Sequence, residues 1–122
     1  MHPFLLALFA MMMFAVGCGQ SGSTPPPPLP VDQIPAALQK AFSKAQPPDS
    51  EIVSQAIAAL QAQDYNKAYF QIQTLASKPG LNKEQQSIIG RSALTVNELL
   101  QAAQAKGDTQ AAQTLENYRR TK

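Results

Sequence analysis

From Ile34 to the end of the chain, apolar residues return every three or four positions, a rhythm broken at Pro47-Pro48, Gln63-Asp64, Pro79-Gly80 and Gly107. That spacing puts apolar side chains on one face of a helix. No stretch alternates apolar and polar residues as a half-buried strand would, and Gly and β-branched residues are sparse. The pattern therefore predicts an all-α fold, a small antiparallel array or bundle of about five helices.

The first helix is expected over about Pro35 to Ala45, with Ile34, Leu38, Ala41, Phe42 and Ala45 on its apolar face. Pro35 suits a first turn, and Pro47-Pro48 forces a stop. The second, about Ser50 to Ala62, has Asp49 or Ser50 as its cap and a stripe of Ile52, Val53, Ala56, Ile57 and Leu60. Gln63-Asp64 makes a tight turn, and Asp64 can cap a third helix over about Tyr65 to Ser77. That helix turns Tyr65, Ala68, Tyr69, Ile72, Leu75 and Ala76 inward. The fourth is longest, about Lys83 to Lys106, with Asn82 and Gln85 spaced for a capping box. Its inward face reads Gln85, Ile88, Ile89, Ser92, Val96, Leu99, Leu100 and Ala103. Gly107 suits the left-handed position after a helix. Asp108 then opens a fifth helix to about Arg120, with Ala111, Ala112, Leu115 and Tyr118 inward. Short connections make neighbours antiparallel, so helices two to five should form two hairpins. Helix one is expected to close one end.

The N-terminus has a different character. Phe4 to Gly17 is one apolar run ending at Cys18, the only cysteine. It is shorter than the roughly 20 residues a membrane-spanning helix needs, and it fits the apolar region of a secretory signal, about 7–15 residues. Met1-His2-Pro3 lacks the Lys or Arg with which such signals normally begin. An ordinary signal cut near Gly17 and a short uncleaved anchor are both compatible with the run. Ala15-Val16-Gly17-Cys18 resembles the lipobox of bacterial lipoproteins, with Ala15 standing where that family most often has Leu. The resemblance implies a signal peptide over 1–17, cleavage before Cys18, a diacylglycerol on its thiol and acylation of the new amine. A single cysteine also leaves no disulfide to form in an oxidising compartment, and lipidation accounts for it. Two acyl chains, at about 0.8 kcal/mol per buried CH₂, make such an anchor effectively permanent. Gly19, where related lipoproteins retained in the inner membrane often have Asp, points to the outer membrane in an organism that has one. The domain would then face the periplasm or the exterior.

Residues 19–30 read GQSGSTPPPPLP, flexible in the Gly/Ser half and stiff in the proline half. A disordered, Pro-rich linker is therefore expected over 18–31, with the helical domain over 32–122.

The segment Ala59-Leu60-Gln61-Ala62-Gln63-Asp64-Tyr65-Asn66-Lys67-Ala68 resembles the middle of a tetratricopeptide repeat, where a Gly-Asp-Tyr-x-x-Ala turn joins two helices. Gly107-Asp108-Thr109-Gln110-Ala111-Ala112 is similar to a second, weaker copy. That family repeats every 34 residues, and the two copies here stand further apart. Asp64 and Asp108 are equally well explained as caps between generic antiparallel helices. The resemblance implies a repeat-like array with a concave face that binds peptide segments.

Candidate chemistry is thin. His2, the only histidine, lies in the signal; there is no Trp, and Cys18 would be blocked by lipid. Cys–His and Ser–His catalysis and zinc sites built on His or Cys are thereby excluded. Of the carboxylates, Asp32, Asp49, Glu51, Asp64, Glu84 and Asp108 fall at or near predicted helix starts, and Glu98 and Glu116 on polar faces. No catalytic residue, metal site or cofactor is expected, and the protein is read as a non-enzyme. A net charge of +2 forms no dense basic patch, so nucleic acid is not an expected partner. Arg119, Arg120 and Lys122 complement a helix dipole.

One side chain is a candidate contact. Phe70 lies beside the stripe of Tyr65 and Tyr69; it either widens the core, the favoured placement, or is exposed as a partner contact. The expected function is a lipid-anchored, non-enzymatic interaction or scaffold module of the cell envelope, held to the membrane through Cys18 and contacting another envelope protein. A structural lipoprotein that self-associates along Val96, Leu99, Leu100 and Ala103 of helix four is the alternative, and a small-ligand carrier ranks last.

Overall fold

The structure, a computed structural model, describes residues 26–121, and the expectations placed on residues 1–25, Cys18 and its lipobox among them, lie outside them. The described residues are helical with no strand. A 3-10 turn, Val31–Gln33, leads into α1 (Ile34–Ala41), α2 (Asp49–Gln61), α3 (Tyr65–Ala76), α4 (Lys83–Ala105) and α5 (Thr109–Arg120). The expected all-α array of five helices is what forms.

Burial follows the three-and-four spacing. Ile72 and Leu75 of α3 and Val96 and Leu100 of α4 are almost wholly removed from water, together with Ile34 and Leu38 of α1. α3 packs against both α2 and α4, and α4 packs against α5. α1 does more than close an end: it lies against α4 and α2, and its two large apolar side chains enter the common core. Most of its stability must come from that burial, because eight residues are too few for an isolated helix.

Local caps and one distant contact set the boundaries. α1 ends at Ala41, short of the expected Ala45. The Gln85 amide donates to the Ala41 carbonyl at 3.1 Å, and the Ala45 N–H bonds to Phe42 instead. Gln85 serves twice, since its side-chain oxygen also accepts from the Asn82 N–H in a complete capping box that starts α4. At α2 the structure corrects the expected cap. Pro48 precedes the helix, no side chain caps it, and the Asp49 carboxylate instead faces the Lys78 ammonium at 3.8 Å.

The turns after α2 and α4 have the same construction. The Gln63 N–H bonds to Leu60 and the Asp64 N–H to Ala59; the Gly107 N–H bonds to Gln104 and the Asp108 N–H to Ala103. Both are Schellman endings with one left-handed residue, Gln63 at φ 57° and Gly107 at φ 94°. In each the following aspartate caps the next helix, Asp64 accepting from the Lys67 N–H and Asp108 from the Ala111 N–H, both at 3.1 Å. The buried alanine that follows differs in phase, coming four residues after Asp64 (Ala68) but three after Asp108 (Ala111). Counted from its cap, the buried face of α5 is therefore turned about 100°, one residue of helix, from that of α3.

The packed region begins earlier than the composition of the linker implies. Leu29 is buried in the core. Its N–H reaches the Arg91 carbonyl, its own carbonyl accepts from the Thr95 hydroxyl, and the Arg91 Nε donates to the Pro27 carbonyl at 2.8 Å. Residues 27–30 thus form a strap across α4. Proline composition marks backbone without internal hydrogen bonds, and here α4 supplies the missing partners, through the Arg91 carbonyl and the Arg91 and Thr95 side chains.

Candidate functional site

The most chemically distinctive surface lies between α3 and α5. Tyr69 and Phe70 are adjacent on α3, so a helix turns them about 100° apart. Tyr69 falls on the core side and is 3% exposed; Phe70 projects outward and is 67% exposed. The core placement favoured for Phe70 is thereby overturned: Ala68, Tyr69, Ile72 and Leu75 already fill the inward arc, leaving Phe70 at its rim. A large apolar side chain held in water forgoes roughly 1.5–3 kcal/mol of burial, and it stands beside a cavity rather than on open surface.

That cavity encloses about 510 Å³ and runs along the α3–α5 junction. Tyr69, Phe70 and Tyr118 supply aromatic surface, Asn66, Gln73 and Asn117 supply amides, and serine and threonine hydroxyls complete the wall. No charged side chain lines it. The Tyr69 and Tyr118 rings meet edge to face, centroids 5.3 Å apart at 81°, which fixes the floor. The Thr114 hydroxyl donates to the Asn66 side-chain oxygen at 2.6 Å and ties the two walls together. From behind, the Asn97 amide on α4 donates to the Tyr69 hydroxyl at 3.4 Å. Burial pushes the Tyr69 hydroxyl above its ordinary value of 10.0, with the Asn97 hydrogen bond opposing that shift. The floor is neutral and preorganised; its polar groups can bind and orient, but none is poised to transfer a proton near neutral pH.

Several titratable residues elsewhere make structural contacts. Asp64 and Asp108 cap helices, and Glu116 pairs with Arg119 and Arg120 on the exposed face of α5. Among the described residues no three His, Cys, Asp or Glu side chains gather as a metal site would require, and no helix is long and apolar enough to cross a membrane.

Phe70 was visible in the sequence as a side chain at the edge of a stripe, but the groove beside it was not. Tyr118 reads as core by spacing alone, and only the packing of α5 on α3 brings it to Tyr69. Asn66, Gln73 and Asn117 carry no sequence signal, being ordinary polar positions on their helices. The seam suggested for self-association is largely used within the molecule. Val96 and Leu100 are buried by neighbouring helices, leaving Leu99 and Ala103 half-buried.

Comparison of the chain with family models, with curated proteins and with solved structures finds no match.

Proposed function

We propose that the chain is a bacterial lipoprotein anchored through Cys18, whose helical domain is a non-enzymatic interaction module of the cell envelope. The single observation that carries the module reading is the exposure of Phe70 at the rim of an aromatic and amide-lined groove. Large apolar groups beside a concavity mark contact sites, whereas scattered ones do not. The anchoring half rests on the apolar run, on the small residues Ala15 and Gly17, and on a lone cysteine at position 18. The resemblance to tetratricopeptide repeats belongs here as well. The paired Schellman turns support a repeat-like construction, and the shifted phase of Ala111 separates the second pair from the first.

Two variants test the two halves independently. Cys18→Ala should move the protein out of the membrane fraction and prevent incorporation of labelled palmitate. If the variant still fractionates with membranes, the anchor lies elsewhere. A photo-crosslinker at position 70 should capture a defined envelope component in living cells, and one at position 94, where Leu94 is also exposed on α4, should not. Equal capture at both positions would reduce Phe70 to ordinary surface. Self-association along α4, where Leu99 and Ala103 are half-buried, is the second reading, and it predicts that a crosslinker at position 99 captures the protein itself.

A further inference from the structure

The wall of the α3–α5 groove narrows the chemistry of what fits it. Ten side chains line the cavity, and none carries a charge at neutral pH. The nearest charged groups on α5, Glu116, Arg119 and Arg120, are engaged with one another on its exposed face. An anionic or cationic ligand would lose hydration there and find no counter-charge. An apolar helix fits less well, because amides of Asn66, Gln73 and Asn117 stand among the aromatic groups and the Asn117 side chain would be buried without a partner.

A molecule with flat C–H faces and a rim of hydroxyl and amide groups matches both components of the wall. Phe70 is exposed at the rim, and Tyr118 lines the same cavity. The Asn117 side chain makes no hydrogen bond within the protein, and the Asn66 Nδ2 is left free by a contact that uses only its oxygen. The Thr74 and Thr121 hydroxyls donate to carbonyls of their own helices, which leaves their oxygens able to accept. A volume of about 510 Å³ lies inside the roughly 300–1,000 Å³ of small-ligand sites, room for a short run of sugar rings rather than for a protein interface.

We propose that the groove between α3 and α5 binds a neutral glycan, its rings stacked on Phe70 and its hydroxyl and acetamido groups held by Asn66, Gln73 and Asn117. The inference rests on the groove being a contact surface, the reading given above, and does not require the lipid anchor. In a bacterial envelope the abundant source of this chemistry is the polysaccharide strand of the cell wall; a soluble oligosaccharide is the other.

The test is co-sedimentation of the full-length protein with purified cell-wall sacculi, competed by the uncharged N-acetylglucosamine tetramer. The expected result is sedimentation that the tetramer displaces. Phe70→Ala should weaken binding at least tenfold, Phe70→Tyr should retain it, and Leu94→Ala should leave it unchanged. Circular dichroism should show all three variants folded. Direct binding of the tetramer, measured calorimetrically, without retention of the protein on sacculi supports the site and assigns it to soluble sugar. No binding to either, or equal binding by Phe70→Ala, overturns the proposal. So does binding to sacculi that an excess of the tetramer fails to displace, since the ligand is then not the glycan. An envelope protein crosslinked at position 70 without any glycan binding overturns this inference and leaves the module reading standing; failure of both assays removes both.

Discussion

The strap at residues 27–30 makes the sharpest energetic prediction. Leu29 is 6% exposed, although it lies between prolines in a segment whose composition reads as linker. Replacing a buried leucine by alanine costs about 2–5 kcal/mol, depending on how far the site can collapse. Leu29 lies near the start of the packed chain, where neighbours relax easily, so Leu29→Ala should fall at the low end, about 2–3 kcal/mol. For a domain of this size that corresponds to a fall in Tm of about 10–20 °C. Thermal and urea unfolding of the full-length protein, followed by far-UV circular dichroism, measure it directly. Pro28→Ala, one residue earlier and exposed, is the control and should change stability by less than about 0.5 kcal/mol. Thr95→Val removes the hydroxyl that donates to the Leu29 carbonyl and should cost about 1–2 kcal/mol by leaving a buried acceptor unpaired. Combined with Leu29→Ala, its effect should be less than additive, because both changes release the same strap. If Leu29→Ala matches Pro28→Ala, the strap contributes nothing and residues 27–30 are linker after all.

Three further outcomes follow from the same structure. Gln63 and Gly107 hold equivalent left-handed positions, and nothing lies within 4 Å of a Cβ built on Gly107, so backbone conformation alone decides there. Gly107→Ala should therefore destabilise by about 1 kcal/mol, and Gln63→Gly should be neutral or stabilising by up to about 1 kcal/mol, both read from urea midpoints. Burial raises the Tyr69 hydroxyl above 10.0, so the folded state holds that proton more tightly than the unfolded chain. Its contribution is fully present below pH 10 and is lost as pH rises through the folded value, so Tyr69→Phe should flatten the loss of stability in alkaline titrations. Asp64→Ala and Asp108→Ala should each cost about 1 kcal/mol through loss of an N-cap, with little coupling between them.

What the sequence shows and what it hides divide along a physical line. Helix positions were legible because burial of one face imposes a period, and α3, α4 and α5 begin where Asp64, Asn82 and Asp108 can cap them. α1 ended early because Gln85, distant in sequence, takes the Ala41 carbonyl, and no local rule contains that contact. The strap was hidden for the same reason: proline reports only that a backbone lacks internal partners, whereas its partners, Arg91 and Thr95, stand on another element. Phe70 was misplaced because a stripe edge is set by the angle at which a neighbour approaches, and the approach of α5 is not encoded on α3. The groove required both helices at once, and amides such as Asn117 look identical whether they face solvent or a site.

The strap also changes the geometry that an anchor at Cys18 would impose. Were residues 18–31 all linker, the domain could stand far from the bilayer and turn freely. With Pro27 held by Arg91, only residues 19–26 lie between the cysteine and the docked chain, and eight residues span at most about 28 Å. Attachment is then to one side of α4, the side bearing Arg91 and Thr95. Asn97, Gln101 and Gln104 lie elsewhere on that helix, along its junction with α5, which a helix places well over 90° around from the strap. A lipid on Cys18 would therefore attach through the strap side of α4, on the opposite side of that helix from its junction with α5.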